Sequence, residues 1–321
     1  MKYIQRSALA AMYRGPEHPI DESYAELKLL RAACAGDAEQ ACGLFREQKQ
    51  FGGEPCAIDT PYRRYTGLSG VRAFVREWLE RFHAGAAKVT PVMQTRANGR
   101  SVTELEVSFV SPEGVRQVPF FVVADLRAGG LLDEVRLYTH CSFIPGLQPY
   151  RAPLFPACHL EKGELGLLTG AVREYYAGLH HLPSADVDRI MRCMSEHCKF
   201  GGYEPLEPGR EPVMDDRKLM RAKYEQMAQY IPRCVAMRYV TLIDDGRTCV
   251  IEWVHIVSNA GRDERGRIAM SGIAAYERGE DGLLCSVRIS DYAGMEAAID
   301  WSRLPITKEE AQRINHVEEF R

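Results

Sequence analysis

The sequence predicts an α+β protein built from two tandem cone-shaped barrels, in each of which a curved antiparallel sheet wraps around helices. The first observation is a repeat, since residues 51–55 (FGGEP) return as 200–205 (FGGYEP). The second is that later matches keep their order, with 98–101 returning as 245–248. The third is that each half reads as helices followed by four strands. Matches in register over the whole length indicate a duplicated domain.

Composition agrees with two ordinary domains. The 321 residues are enough for two hydrophobic cores. The net charge is −3 with a pI near 6.3, and no basic run exceeds Arg63-Arg64, which argues against nucleic acid or an anionic membrane as a partner. The start of the chain lacks an apolar signal core, so we expect a cytoplasmic protein with no membrane partner. The ten scattered cysteines favour reduced core thiols.

The first copy reads as three helices and four strands. Helical spacing starts at Asp21 and stops at Gly36-Asp37, where a second helix begins and runs to about Phe45. Residues 67–82 carry an apolar stripe at helical spacing and predict an amphipathic helix. Alternation bounded by turn signals then predicts strands at 89–96, 101–111, 116–126 and 131–140.

The second copy repeats this order after a proline-rich stretch without periodicity. Its predicted helices are at 164–181, 185–197 and 215–231, and its strands at 234–243, 248–258, 267–277 and 283–292. The predicted domains and their flanks are a lead-in at 1–20, domain 1 at 21–145, a linker at 146–163, domain 2 at 164–300 and a tail helix at 301–321. A curved sheet closed by helices leaves an interior suited to a small molecule.

Three stretches carry a family resemblance: the Gly36-Asp37 break, residues 51–55 leading into 67–74, and a last strand, 286–291, that runs into Tyr292. They resemble the nuclear-transport-factor-two-like superfamily, which includes SnoaL-like polyketide cyclases, ketosteroid isomerases and limonene-epoxide hydrolases. The resemblance implies the cone-shaped fold over nearly the whole chain. Since single domains of this kind pair through their sheets, it also implies a pseudo-dimer within one chain, with a homodimer as a further option.

Alternation along the last strand selects a candidate catalytic acid. Val287, Ile289 and Asp291 share one face, and Arg288 and Tyr292 share the other. We expect the apolar face to line the pocket, so Asp291 is predicted as a catalytic group at the end of an apolar wall. The first copy has a threonine at the equivalent position.

A second carboxyl, Glu252, aligns with Leu105 of the first copy, whose strand reads as core. Two acids in one apolar cavity would take up separate acid and base roles, because burial and mutual repulsion shift their pKa values. The alternatives are that Glu252 faces solvent at a bulge and that Asp291 caps a turn. If the strand faces are reversed, Trp253 and His255 line the pocket, and His255 becomes a catalytic candidate or a structural histidine.

Two tyrosines of the second copy, Tyr175 and Tyr176, can point into the cone from its first helix. The resemblance to ketosteroid isomerases implies that a tyrosine hydroxyl near there stabilises an enolate oxygen. With Trp253, Tyr292 and Arg288 they form the predicted substrate-binding set. Glycines stand where an isomerase-type aspartate is expected, and no strand holds the Arg-x-Asp of epoxide hydrolases.

The sequence predicts neither a metal nor a cofactor. Cys193, His197 and Cys198 are close together but lack a fourth ligand, and no phosphate-binding or dinucleotide-binding motif occurs. The predicted function is therefore a cofactor-independent isomerase or cyclase that acts by enolate chemistry on a hydrophobic carbonyl compound in secondary metabolism. The first copy would be a degenerate partner. The alternatives are a non-catalytic binding or assembly module, and a dehydratase or hydrolase on the same scaffold.

Overall fold

The computed structural model describes residues 3–5, 7–12, 19–45, 55–82, 87–112, 114–140, 143, 168–179, 181, 184–203, 213–228, 234–258 and 267–295. For 3–5, 111, 234–240, 254–258, 267–271 and 291–295 the description covers the backbone alone. The predicted linker at 146–163 and the predicted tail at 301–321 lie outside the described residues.

Contacts divide the chain into two compact units. The first unit comprises 1–147 together with 202–212, and the second comprises 148–201 together with 213–321. The sequence places the segment 202–212 in domain 2, whereas its contacts place it in the first unit. A pseudo-dimer within the chain and a homodimer stay predictions.

The first unit combines helices with one twisted sheet, as predicted. Its elements are a 3₁₀ turn (Leu9–Met12), helices α1 (Ala25–Ala35), α2 (Ala38–Gly43) and α3 (Gly67–Phe82), and strands β1 (Tyr3–Gln5), β2 (Ala57–Asp59), β3 (Arg64–Thr66), β4 (Lys88–Ala97), β5 (Arg100–Ser111), β6 (Gly114–Leu126) and β7 (Leu132–Tyr138). The strand order is β3-β2-β7-β6-β5-β4, and β1 pairs with β6. The four predicted strands form an antiparallel meander, β4 to β7.

The break between α1 and α2 has the predicted helix end and the predicted start of a second helix. Gly36 ends α1 in the left-handed region (φ 73°), and the amide of Asp37 donates to the carbonyl of Ala32 at 2.9 Å. The Asp37 side chain then caps α2 by accepting from the amide of Gln40 at 2.9 Å. A two-residue turn, Asn98-Gly99, joins β4 to β5.

Aromatic side chains fill the interior of the first unit. Phe74, Trp78 and Phe82 project from α3 onto the sheet. The Phe82 ring lies 4.7 Å from that of Trp78 and stacks on Phe109 at 4.6 Å between centroids. Such dense aromatic packing is typical of a structural core.

The second unit repeats the architecture. Its elements are helices α4 (Gly170–Leu179), α5 (Val187–Arg192) and α6 (Arg217–Ala228), and strands β8 (Met194–Gly201), β9 (Val213–Met214), β10 (Cys234–Asp244), β11 (Thr248–Ser258), β12 (Arg267–Arg278) and β13 (Leu284–Met295). The strand order is β10-β11-β12-β13-β8-β9. The predicted helix 185–197 is shorter than expected, because the chain turns into β8 directly after α5. The predicted α+β class with two wrapped sheets is confirmed by the two sheets and their helices.

Equivalent strand positions in the two sheets differ by one residue from the positions that the sequence repeat aligns. Leu105 pairs with Phe120 in the first sheet, and the equivalent pair in the second is Trp253 with Gly272. The sequence matches instead set Leu105 against Glu252. Leu105 and Trp253 both lie in their cores and are 148 residues apart, one more than the 147 that separate the matching turns 98–101 and 245–248. A slip of one residue moves every side chain to the opposite face of a strand.

Candidate functional site

The inner face of the second sheet is apolar and packs against the helices. Cys249, Ile251 and Trp253 present this face from β11, and Ala274 and Tyr276 continue it on β12. On β13, Val287 and Ile289 pair with Tyr276 and Ala274 and belong to the same core. The face predicted for Val287 and Ile289 is therefore the core face.

Four buried tyrosines meet on this face, and we call them the tyrosine quartet: Tyr175 and Tyr176 from α4, Tyr224 from α6 and Tyr276 from β12. The hydroxyl oxygens of Tyr175 and Tyr224 lie 2.9 Å apart, and those of Tyr176 and Tyr276 lie 2.8 Å apart. The rings of Tyr175 and Tyr276 also touch, with centroids 5.1 Å apart. The two α4 tyrosines point into the core, as predicted. Their role in substrate binding stays a prediction.

Three members of the quartet, Tyr175, Tyr224 and Tyr276, are neutral phenols at physiological pH. Burial raises the pKa of Tyr175 to about 12, although hydrogen bonds with Tyr224 and Tyr276 lower it. Burial also raises the pKa of Tyr224 and of Tyr276 well above the usual value, and the neighbouring tyrosines raise both further. Phenols that keep their protons in an apolar site are hydrogen-bond donors for an oxygen that gains negative charge.

Strand register places the predicted acid in line with Trp253. Trp253 pairs with Gly272, and Gly272 pairs with Asp291 on β13. A Cβ on Gly272 would lie 2.7 Å from the Trp253 ring, so glycine is what allows the indole to cross β12. The side chains of Asp291, Tyr292 and His255 lie outside the described residues, so their catalytic and binding roles stay predictions.

The predicted position of Glu252 on the inner face is wrong. Glu252 alternates with the core residues Ile251 and Trp253, and its fully buried carboxylate accepts a hydrogen bond from Thr241. The one-residue slip makes Glu104, rather than Leu105, its equivalent in the first copy. Glu104 is also buried and accepts a hydrogen bond of 3.2 Å from Tyr203. Trp253 lies on the inner face of β11, as the alternative with reversed strand faces predicted.

Arg288 belongs to a buried ion cluster on the outer face. Its guanidinium donates to Glu277 at 3.0 Å and to the Ser286 hydroxyl at 2.7 Å, and Arg247 donates to the same carboxylate at 2.7 Å. Burial would raise the pKa of Glu277, but the two arginines outweigh burial and lower it. This partnering gives Arg288 a structural role and leaves the predicted substrate contact untested.

The first unit repeats this cluster, with Arg136 and Asp125 at the strand positions equivalent to Arg288 and Glu277. Arg136 donates to Asp125 at 2.7 Å, and Arg100 donates to the same carboxylate at 3.0 Å. Burial would raise the pKa of Asp125, but Arg136 and Arg100 hold it below the usual value. A duplicated acid between two arginines is thus a shared structural feature of both sheets.

The described residues offer neither a metal site nor a reactive thiol. No group of three or more His, Cys, Asp or Glu side chains there could hold a metal ion. Cys193 and Cys198 are buried, and burial raises the pKa of Cys193 to about 11, which disfavours a reactive thiolate. No described helix is both long and apolar enough to span a bilayer.

A shallow depression of about 300 Å³ opens on the second unit beside α4 and α5. Its wall contains Ala171, Cys193 and Leu283, and its rim contains Arg189, whose guanidinium is paired with Glu174 at 2.7 Å. Cys193 also belongs to the core that contains the quartet. The depression therefore borders the interior from the helix side.

Sequence reasoning missed three interior polar residues. Tyr224 and Tyr276 complete the quartet, and Glu26 enters the interior of the first unit, which was expected to hold no acid. Tyr224 follows Met220 at helical spacing, which was a usable signal. Tyr276 follows two alanines, and Glu26 stands in the first turn of α1, where acids are common at the surface.

No protein-family model matches the chain, and no curated protein matches it significantly. A solved protein with a ketosteroid isomerase-like fold from Catenulispora acidiphila, in complex with trimethylamine, is 12% identical with a TM-score of 0.33, over 40% of this chain and 93% of its own. SalBIII, an epoxide hydrolase/cyclase-like enzyme of pyran ring formation in salinomycin, is 15% identical with a TM-score of 0.29, over 42% and 92%.

A third solved structure is RV0760c from Mycobacterium tuberculosis in complex with estradiol-17beta-hemisuccinate. It is 16% identical with a TM-score of 0.29, over 37% of this chain and 94% of its own. The chain is similar to these proteins in fold. The helices and the antiparallel meander of each unit establish the α+β architecture by themselves.

Proposed function

We propose that the second unit is a cofactor-independent isomerase or cyclase site for a hydrophobic carbonyl compound. Asp291 removes a proton from the carbon next to the carbonyl group, and a hydroxyl of the tyrosine quartet donates a hydrogen bond to the enolate oxygen that forms. The proton returns at another carbon, or the carbanion closes a ring. Glu252 has no part in this mechanism, because it lies on the outer face.

The buried quartet is the observation that carries the proposal. The phenols of Tyr175, Tyr224 and Tyr276 keep their protons. The quartet hydroxyls lie in a core of aromatic and sulfur-containing side chains, where a hydrogen bond to a developing charge is strong. A hydroxyl that accepts one hydrogen bond still has its own proton to donate. The quartet can therefore reorient toward a substrate oxygen without ionising.

Strand spacing supports Asp291 as the base. Tyr276 pairs with Val287, and Asp291 follows Val287 by four residues on the same strand, which is about 13 Å at the usual rise. The row between them is Ile251, Ala274 and Ile289, all apolar. The proposal requires a substrate bound over this row whose α-carbon reaches Asp291 while its carbonyl oxygen reaches a quartet hydroxyl.

The test is hydrogen exchange at a ketone. We expect the full chain in D₂O to accelerate loss of the α-proton NMR signals of 1-tetralone above the buffer rate. Asp291→Asn should reduce the enzymatic rate by at least about 10²-fold, as expected for a general base. Tyr176→Phe should reduce it by about tenfold or more, because one donor to the enolate oxygen is lost.

Two further variants separate this proposal from others. Glu196→Gln changes an exposed acid on β8 and should leave the rate unchanged. Glu252→Gln should retain exchange if the outer face is inert and lose it if Glu252 is the second acid. An Asp291→Asn variant that exchanges at the wild-type rate would remove Asp291 from the mechanism.

A binding module without chemistry is the second candidate. One observation favours it: the quartet hydroxyls hydrogen-bond one another, as in a satisfied polar core. This alternative predicts that 1-tetralone binds and broadens or shifts the Tyr276 signals while its α-protons exchange at the buffer rate.

A further inference from the structure

The depression beside α4 and α5 has an apolar wall and a charged rim. Ala171 and Cys193 are buried in the wall, and Leu283 is half-buried. The volume of about 300 Å³ is at the lower end of the range for small-molecule sites. Because Arg192 and Asp281 of the rim are exposed, a small ligand can enter without displacing the packed interior.

Two of the four charged residues around the depression neutralise each other. The guanidinium of Arg189 donates twice to one carboxylate oxygen of Glu174, from Nε at 2.9 Å and from Nη2 at 2.7 Å. Paired groups of this kind hold each other in place. This pair therefore shapes one side of the rim and offers no net charge to a ligand.

Arg192 is the cation that remains. It is the last residue of α5, and its exposed guanidinium makes no hydrogen bond or ion pair within the residues that the structure describes. Burial raises the pKa of the Cys193 thiol, and Arg192 is one of two arginines that lower it. The positive charge of Arg192 therefore acts on the wall of the depression.

Asp281 is the anion that remains. It lies in the turn between β12 and β13, where one of its carboxylate oxygens accepts from the amide of Leu283 at 3.0 Å. A carboxylate has further acceptor positions for a ligand. Arg192 and Asp281 are both described, and they form no ion pair with each other although both line the depression. The rim thus presents two separate charges of opposite sign.

We propose that this depression binds a small zwitterion, an α-amino acid with a short apolar side chain. Arg192 pairs with its carboxylate, and Asp281 pairs with its ammonium group. Ala171 and Leu283 contact the hydrocarbon part. A simple anion would face the like charge of Asp281, and a simple cation would face that of Arg192, so only a zwitterion complements both. The site is independent of the chemistry proposed for the quartet.

Titration of the labelled full chain with L-valine tests the site. In wild type we expect saturable NMR shifts of the Ala171, Gly282 and Leu283 amides. Isovalerate lacks the ammonium group of valine and isobutylamine lacks its carboxylate, so each should bind about three- to tenfold more weakly. Added salt should weaken valine binding, because both contacts are exposed charge pairs.

Two variants assign the two charges. Arg192→Gln should weaken valine about three- to tenfold without weakening isobutylamine. Asp281→Asn should weaken valine without weakening isovalerate, and asparagine can still accept from the Leu283 amide and keep the turn. Arg173→Gln and Glu280→Gln are the matched controls, since they remove exposed charges that do not line the depression, and both should match wild type.

Three results would overturn the proposal. The first is that the shifts at Ala171, Gly282 and Leu283 do not saturate with valine. The second is that isovalerate binds as tightly as valine, since Asp281 would then have no part in the site. The third is that Arg192→Gln binds valine as tightly as wild type. None of these measurements uses turnover, so a failure of the proposed isomerase chemistry would leave them unaffected.

Discussion

The buried acid Glu26 gives the protein a pH-dependent stability. Burial raises its pKa above the unfolded value of about 4.3, so the folded chain holds this proton when the unfolded chain has lost it. The stability that protonation provides is complete below pH 4 and declines as the pH rises through the folded-state pKa. Glu26→Gln cannot ionise, and we expect it to be more stable than wild type at high pH, by about 1–3 kcal/mol.

Denaturant unfolding at pH 4 and at pH 8 measures this difference. The advantage of Glu26→Gln should be present at pH 8 and vanish at pH 4. Glu80→Gln is the matched control, because its carboxyl is exposed, and its curve should follow wild type at both pH values. A Glu26→Gln protein that is less stable than wild type at pH 8 would mean that the fold favours the ionised carboxyl.

At the scale of elements, the sequence predicted the helices and turns whose position depends on neighbouring residues alone. Helix α3 has the predicted bounds, and the turn at Asn98-Gly99 is where the dipeptide places it. The inner face of β11 was mispredicted because the turn matches align the two copies with an offset that differs by one residue from the offset of their core positions. Asp245-Gly246 looks like Asn98-Gly99 in sequence, but Trp253 rather than Glu252 takes the core position of Leu105. Strand β8 was missed because its residues continue a helical pattern.

The end of α1 offers a test at this scale. Gly36 has φ of 73°, and a Cβ there would lie 3.0 Å from Leu79 of α3. We expect Gly36→Ala to lower the unfolding free energy by about 1–2 kcal/mol, because alanine is strained in this conformation and crowds the helix pair. Gly43→Ala is the control, since no atom lies within 4 Å of its Cβ position and helical alanine is favourable. Equal melting temperatures for Gly36→Ala and wild type would show that the cap relaxes without cost.

At the scale of the whole molecule, the duplication was visible in the sequence. The assignment of the segment 202–212 to the first unit was not. The match between 51–55 and 200–205 suggested the same turn in each copy, within its own domain. Instead β8 continues to Gly201, and the next residues belong to the first unit. Residues 51–54 lie outside the described part of the chain, so this motif cannot be compared directly. The contacts of Tyr203 with Glu104 and Phe121 agree with this assignment, and no local periodicity encodes them.

Tyr203 should therefore stabilise the first unit. Its ring stacks on Phe121 at 4.1 Å between centroids, and its hydroxyl donates to Glu104 at 3.2 Å. We expect Tyr203→Ala to raise amide hydrogen exchange in β5 and β6 and leave β11 to β13 unchanged, with a loss of about 3 kcal/mol in the first unit. Tyr203→Phe keeps the stacked ring and loses only the hydroxyl, so its effect should be smaller. If Tyr203→Ala instead raised exchange in β11 to β13, the segment would belong energetically to the second unit, and the division of the chain would follow the sequence repeat after all.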